Sequence, residues 1–578
     1  MRIFATTLLL LLLVGGCGDI GSSDTKGAGA SDRFGGSGTS GGIGTGAMGS
    51  GNGAAGFGAN NADGGIPSLP PETEQQVDLQ LPQASQSFVY TTNPQAGTVS
   101  VIDAVSLEIR TLETGDKPTY LRTLAKTDNA IVLNIGSNTA TVIRSNSMRS
   151  TTSDLDVVPG ANAIGVAPDG KHAVVYYNSN YTSAGNGSGS FQDVSVLSLS
   201  TDGKTDASVS MTVGFRPRDV FFTKDNTRAF VVTEDGVSIL DFAAIEKQGS
   251  GIAHLVQLGG GVDQKTLDVA VTPDGAYALA RAEGKGILHL VNLGNGNVRT
   301  IDIEDAYVAP PAPPVTTDED GGAAAESAVV ITDLDMMPDG TGALAVLRNQ
   351  HALITLPIPA AFDDVKKAKT RIVKDEIVGS VTVSPDAHTA LLYTTAAKDV
   401  ERITLIDLTS DSSKPNTVAL RKAVDAVVFT PTGTTALITH KKLDGDPNQA
   451  GISQDDAIDR SFGYSLLRVP EGDVKLQVTQ TAVGPVAMVP DGSYLFLLFR
   501  DDALGVKEVH RVQLASFLVD PIIPLESPPI SIGTTAEASK KVFVNQDHPD
   551  GRMTFIDWTD PSKKKTVTGF ELNSRIRD

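Results

Sequence analysis

An all-β fold is what this sequence predicts, built as a ring of similar sheets, and three observations predict it. From about Ser87 onward the chain is a succession of short runs rich in Val, Ile, Thr and aromatics: FVYTT, TVSVID, AIVLNI, TATVIR, DVSVLSL, AFVVT and VSILDF. Turn triplets of the Pro-Asp-Gly kind recur between such runs. Helical periodicity is scarce, the best stretch being AAFDDVKKAK at 360–369, short enough for a connecting turn. A repeat of about 40–50 residues holding four short strands is the mark of a β-propeller blade.

The chain opens with MRIFATTLLLLLLVGGCGD. One Arg precedes an apolar run, Ile3 to Val14, too short to anchor stably across a bilayer and of the form of a secretory signal. It ends in Val14-Gly15-Gly16-Cys17, which resembles the lipobox of bacterial lipoproteins. The resemblance implies a signal peptide over 1–16, cleavage before Cys17, and acylation of that residue, palmitate included. Cys17 is the only cysteine, so no disulfide, zinc cluster or haem-attachment pair can form within one copy. Gly18 rather than Asp follows it, which points to the outer membrane, although Asp19 stands one place further on. The expected address is the bacterial cell envelope, with the membrane reached through the lipid on Cys17.

Residues 18–66 hold eighteen glycines among Ser, Ala, Asn and Thr, with no apolar period. Such a stretch buries no core, so 17–66 is expected to be a disordered tether spanning about 35–40 Å as a random coil. IPSLPPETEQQVDLQLP leads through a transition segment, 67–86, into the propeller, 87–572.

Within the propeller the triplets begin at Thr127-Asp128-Asn129, Pro168-Asp169-Gly170, Lys224-Asp225-Asn226 and Pro273-Asp274-Gly275. They continue at Pro338-Asp339-Gly340, Pro385-Asp386-Ala387, Pro431-Thr432-Gly433 and Pro490-Asp491-Gly492, with a degenerate copy in 534–544. One unit explains the residue types. DVAVTP, apolar on both faces, is the inner strand held between neighbouring blades. Pro273 presets φ for a type I turn, and Gly275 takes the left-handed conformation that closes the hairpin. AYALARA, GILHLVNL and the polar NVRTIDI then complete the blade. A stretch at 88–113 has no triplet of its own and is expected to pair with C-terminal strands to close the ring. Seven to ten blades in one ring are expected, since no Pro/Gly-rich linker splits the array.

Tyr90-Thr91-Thr92-Asn93, TVSVID (98–103) and TGDKP (114–118) resemble the repeat of the YVTN family of bacterial β-propellers. Later units keep the V-x-P-D-G core but lose the tetrapeptide. The resemblance covers about 87–570 and implies the fold; the wider superfamily holds lactonases, quinone-dependent dehydrogenases and binding scaffolds, so it implies little about activity.

Net charge is −21, which repels nucleic-acid phosphates, so no nucleic-acid partner is expected. Three insertions break the period: a Gly/Ser-rich one at 178–193, a Pro-rich acidic one at 304–327, and KKLDGDPNQAGISQDDAIDRSFGYS starting at 441, whose insertion proper is 441–463. In the last, Asp444, Asp446, Asn448 and Asp455 fall at positions 1, 3, 5 and 12 of a calcium-loop register, giving Ca²⁺ as a candidate ion. Gln449 where glycine is wanted, Asp in place of the bidentate Glu, and missing flanking helices weigh toward a solvated acidic loop. Asp219, Asp268 and Asp333 stand five residues before their triplets and Asp425 six, at one mouth of the channel. Converging there, they would call for a cation or basic group; the alternative is that each caps a turn or bonds the next blade's backbone.

No catalytic spacing is present: the eight histidines are scattered, without a metal-binding pair, nucleophile elbow or phosphate loop. His289 reads as a satisfied strand residue, His440 as the one near a plausible pocket, and Trp558 as core. Two functions stay open. The first is a lipid-anchored binding or scaffolding module whose partner is an envelope protein or extracellular polymer. The second is a propeller enzyme, a lactonase-like metal-dependent hydrolase or a quinone-dependent dehydrogenase, working through the channel-mouth carboxylates.

Overall fold

The computed structural model describes residues 82–571 except 125, 180–188, 258–266, 283–285, 310–328, 374–375 and 537. Among these residues the strands form ten sheets in chain order, nine of four strands and one of five, each built on a four-stranded antiparallel meander. Blade 1 spans 83–113, blade 2 118–156, blade 3 163–212, blade 4 219–256 and blade 5 267–302. Blades 6 to 10 span 333–372, 380–419, 424–479, 486–524 and 529–568. The fifth strand is Gly251–Ile252, which leaves blade 4 to pair in parallel with Ala207–Thr212 of blade 3.

Ten clusters of buried apolar side chains hold the ring, one at each boundary. One unites Val89, Ile102 and Ala104 of blade 1 with Phe543, Met553 and Phe555 of blade 10, so the ring is closed. Single sheets of this size expose two apolar faces, and only stacking against a neighbour on each side covers both.

The turns bear out the reading of Pro-Asp-Gly. The Gly275 amide donates to the Thr272 carbonyl at 2.7 Å with Gly275 at φ +68°. Thr272 adds a clasp, its Oγ1 donating to Asp274 Oδ1 at 2.7 Å while the Tyr277 amide donates to Oγ1 at 3.0 Å. A Cβ on Gly275 would meet the Phe230 ring at 2.7 Å, because the turn packs on the preceding blade. AAFDDVKKAK is indeed a connection, a short helix Ala360–Asp363 followed by a 3₁₀ turn Val365–Lys367.

Three expectations are corrected. The stretch 88–113 borrows no C-terminal strand: its sheet takes Gln83–Ala84, from the presumed transition segment, as a two-residue inner strand. The seam between blades 10 and 1 is therefore joined by side chains, not by backbone pairing. Ser100 Oγ donates to the Phe570 carbonyl at 3.0 Å and Ser539 Oγ to the Gln86 carbonyl at 3.0 Å. Thr127-Asp128-Asn129 is not the blade 2 turn, which lies two residues earlier, the Thr127 amide donating to the Leu124 carbonyl at 3.4 Å with Lys126 left-handed at φ +62°. Asp128 instead clasps blade 1, its Oδ1 accepting from Ser85 Oγ at 2.8 Å and from the Ser87 amide at 2.7 Å. The bulky β-rich sequence around it masked a turn without proline or glycine.

His440 is also reassigned. It is buried rather than beside a pocket, Nδ1 meeting the Ala423 carbonyl at 3.1 Å and Nε2 meeting Ser465 Oγ at 2.7 Å. Burial pushes its imidazole down to about 4. A folded value below the ordinary 6.5 means the unfolded chain binds the extra proton, so stability is full above pH 6.5 and is lost as pH falls toward 4. The loss from this group amounts to about 3 kcal/mol. His440→Gln should flatten that part of the pH–stability profile in urea unfolding; an unchanged slope between pH 6.5 and 4 would refute the assignment. His289 and Trp558 behave as read: His289 Nδ1 meets Thr300 Oγ1 at 3.0 Å, and Trp558 is fully buried between blades 9 and 10.

Candidate functional site

Antiparallel meanders fix which connections share a face. The inner strand runs from one face to the other, where the Pro-Asp-Gly turn lies, and the chain then returns. The loops between second and third strands, and the links from each outer strand to the next inner strand, therefore all emerge where the inner strands begin. The insertion at 178–193 lies between the second and third strands of blade 3, and 441–463 holds the same place in blade 8. The insertion at 304–327 lies in the link from blade 5 to blade 6. All three thus leave the ring on one face, here termed the insertion face, together with the channel-mouth aspartates. Residues 180–188 and 310–328 lie outside the described residues, as do Cys17 and the tether.

The aspartates do not converge on one ion. Asp333 is sealed in, Oδ1 accepting from its own Leu334 amide at 2.8 Å and Oδ2 from the Val381 amide of blade 7 at 2.8 Å. That is the inter-blade backbone role left open as the alternative. Asp219 Oδ1 accepts from the Val220 amide at 2.7 Å. Burial pushes its carboxyl up to about 6, against the pull of that hydrogen bond and of Arg122 from blade 2. Asp425 sits at a bulge between Val424 and Ala426, with Oδ2 buried and unpartnered, and burial raises its carboxyl against the nearby Lys441. Asp268 is placed in its strand opposite Arg281, and its side chain lies outside the described residues. Among the described residues no three His, Cys, Asp or Glu side chains form a metal-holding group.

Asp219 yields a signed prediction. Its folded value, raised above the ordinary carboxylate, means the native state holds the proton longer, so stability falls as pH rises from 4 through 6. Asp219→Asn should stabilise the protein at pH 7 by about 1–3 kcal/mol, with no gain at pH 3.5, in paired denaturant melts. A loss at pH 7 would show that the charge is satisfied by a partner.

The 441–463 insertion is ordered by its own chemistry, which differs from a calcium loop. Its segment Gln454–Asp459 is helical, with a capping box in which Ser453 Oγ accepts from the Asp456 amide and Asp456 reaches back. Asp455 falls in that helix's first turn, while Asp446 Oδ1 takes the Asn448 amide at 2.8 Å. Among the described residues Asp444, Asp446 and Asp455 form no group of three acidic side chains that could hold a metal ion. The anchor is Lys422, 1% exposed, whose Nζ donates to the Ile458 and Asp459 carbonyls at 2.8 and 3.0 Å. An ammonium on the last carbonyls of a helix satisfies groups that have no partner within it. Glu401 of blade 7 lies against Asp459, and burial with that neighbouring acid pushes its carboxyl up.

Two further features mark this face. Beside the first insertion, Phe191 packs edge-on to Tyr177 at 5.6 Å and near Phe215 at 5.8 Å. The Arg216 guanidinium lies 5.1 Å from the Phe215 ring centre, and Glu234 Oε1 accepts from both Arg216 and Arg218 at 3.2 and 3.0 Å. At blades 8 and 9 a half-open cleft of about 260 Å³ is lined by Gln477, Gln480, Thr481, Phe499, Glu508 and His510, among others. His510 Nε2 meets Glu508 Oε1 at 2.8 Å, and its ring lies 4.2 Å from that of Phe499. The sequence reading missed this cleft. The available signal was Glu508 and His510 two apart in one strand, hence on one face. Thr481 and Phe499 come from elsewhere in the fold.

No family model matches the chain, and no curated protein matches it. Solved structures that resemble it include dihydro-heme d1 dehydrogenase NirN in complex with DHE, at 15% identity and TM-score 0.37, covering 66% of this chain and 72% of that one. A eukaryotic initiation factor is similar at 11% identity and TM-score 0.45, covering 76% and 96%. The Cps50 (Swd1) β-propeller domain of Myceliophteria thermophila is similar at 12% identity and TM-score 0.28, covering 57% and 91%. Likenesses of this size say nothing about ligand or activity.

Proposed function

We propose that the chain is a lipid-anchored binding module of the bacterial cell envelope, held through Cys17 at the outer membrane and engaging an envelope protein or extracellular polymer through the insertion face. The observation that carries the binding role is the placement of all three insertions on that one face of a ten-bladed ring. Loops positioned by a rigid scaffold are where recognition concentrates. Asp333, spent on the Val381 amide of the next blade, serves the ring rather than a ligand. The lipobox-like Val14–Cys17 and the resemblance to YVTN repeats support the address.

The test places a photo-crosslinking residue at Asp446 or Gln192 on the insertion face, and at Ser147 or Lys366 on the opposite one, in cells making the full chain. Cross-links to an envelope component from the first pair alone are expected; equal or reversed yields would overturn the reading. Incorporation of labelled palmitate that Cys17→Ser abolishes is expected in parallel, and incorporation that survives the change would remove the anchor from the proposal.

A further inference from the structure

We infer that the cleft between blades 8 and 9 is a receptor for one basic side chain, Arg or Lys, of a protein partner. The inference rests on the insertion face being a binding surface and names the partner chemistry at one point of it. The cleft opens on that face: Thr479 ends the outer strand of blade 8, and Val506 begins the third strand of blade 9. Thr479 also pairs with Phe462, the residue at which the acidic insertion rejoins its blade.

Size sets the first limit. A cleft of about 260 Å³ falls below the roughly 300–1,000 Å³ typical of pockets that enclose a small molecule. A half-open recess of that volume fits a single projecting side chain, the usual form of an interface anchor. Chemistry sets the second. Glu508 directs one oxygen to His510, and its other oxygen takes no partner among the described residues, while its side chain stays 32% exposed. Gln477 and Gln480 supply amide carbonyls, and the buried Phe499 ring backs His510 at the floor, so an ammonium or guanidinium finds a carboxylate and neutral acceptors together.

Charge sets the third. No Lys or Arg lines the cleft, and the nearest lysines on the two strands are committed elsewhere. Lys475 Nζ donates to the Phe517 carbonyl at 2.7 Å, and Lys507 Nζ donates to the Glu526 carbonyl at 2.6 Å. The adjoining insertion carries Asp444, Asp446, Asp455, Asp456 and Asp459 against Lys441, Lys442 and Arg460, an acidic excess of two, on a chain of net charge −21. An acidic border steers a cationic segment toward the recess and repels an anionic one.

The test is fluorescence-polarisation titration of the full chain with a fluorescein-labelled Gly-Arg-Gly-Arg-Gly peptide, against the same peptide with Glu for Arg and against spermidine as competitor. Binding of the Arg peptide alone is expected, weakened about tenfold by Glu508→Gln, which removes about 1.4 kcal/mol. The carboxamide that replaces the carboxylate can still accept from His510, so folding is preserved. Asp202→Asn, an exposed charge change on blade 3, should leave affinity unchanged. Equal weakening by both variants would reveal nonspecific polyelectrolyte attraction and overturn the inference, as would no binding or preference for the Glu peptide. Full displacement by spermidine at equal concentration would assign the cleft to free polyamines instead. Failure here leaves the face-specific cross-linking standing, and failure of that cross-linking leaves peptide affinity to be measured independently.

Discussion

Phe570→Ala is expected to lower unfolding free energy by about 3–5 kcal/mol, the range for emptying a buried aromatic site. Phe570 lies in the cluster joining blades 10 and 1, with Val89, Ile102, Phe543, Met553 and Phe555. Every other boundary is crossed by the chain itself, so a weakened contact there leaves its blades tethered. The seam has no such link, only this cluster and hydrogen bonds such as Ser100 Oγ to the Phe570 carbonyl. The loss should therefore appear as faster amide exchange in 83–113 and 529–568 before other blades respond. Uniform acceleration across all ten blades, or a cost under about 1 kcal/mol, would show that the seam bears no special share.

Lys422→Met is expected to destabilise the protein by about 3 kcal/mol and to release the 441–463 insertion. Deleting one partner from a buried charge network typically costs about 3–5 kcal/mol. The methionine keeps the apolar stem but leaves the Ile458 and Asp459 carbonyls with only their backbone donors, the Ser461 and Leu443 amides, and Glu401 and Asp459 without a compensating charge. Limited proteolysis should then cut within 444–460 at least tenfold faster, while cutting elsewhere stays slow. Protection equal to wild type would show that the capping box and the Leu443–Asp459 backbone bond suffice.

Much of the ring was legible because its rule is local. A strand such as DVAVT followed by Pro-Asp-Gly carries its turn chemistry in adjacent residues, and repetition supplied the rest. Blade 1 was misread because its inner strand is two residues long, Gln83–Ala84, beneath any periodicity. The Asp register placed the inner-strand starts on one face, yet not the role of each carboxylate, which depends on a neighbour some fifty residues away, as Val381 is to Asp333. The spacing of acids in the 441–463 insertion did not announce the capping box that turns 454–459 into a helix. Lys422 gave no signal at all. A lysine beside an apolar strand start reads as solvated until the insertion folds over it.

Both termini of the described ring sit on the same side, Gln83 opening blade 1 and Glu571 reaching back so that its carbonyl takes the Asn93 amide group at 3.4 Å. Ring ends that lie on one face make the order of blades along the polypeptide arbitrary. A circular permutant, with a short Gly/Ser joint sealing the present break and new ends cut into another inter-blade link, should assemble the same circle with its weak point moved to the new cut.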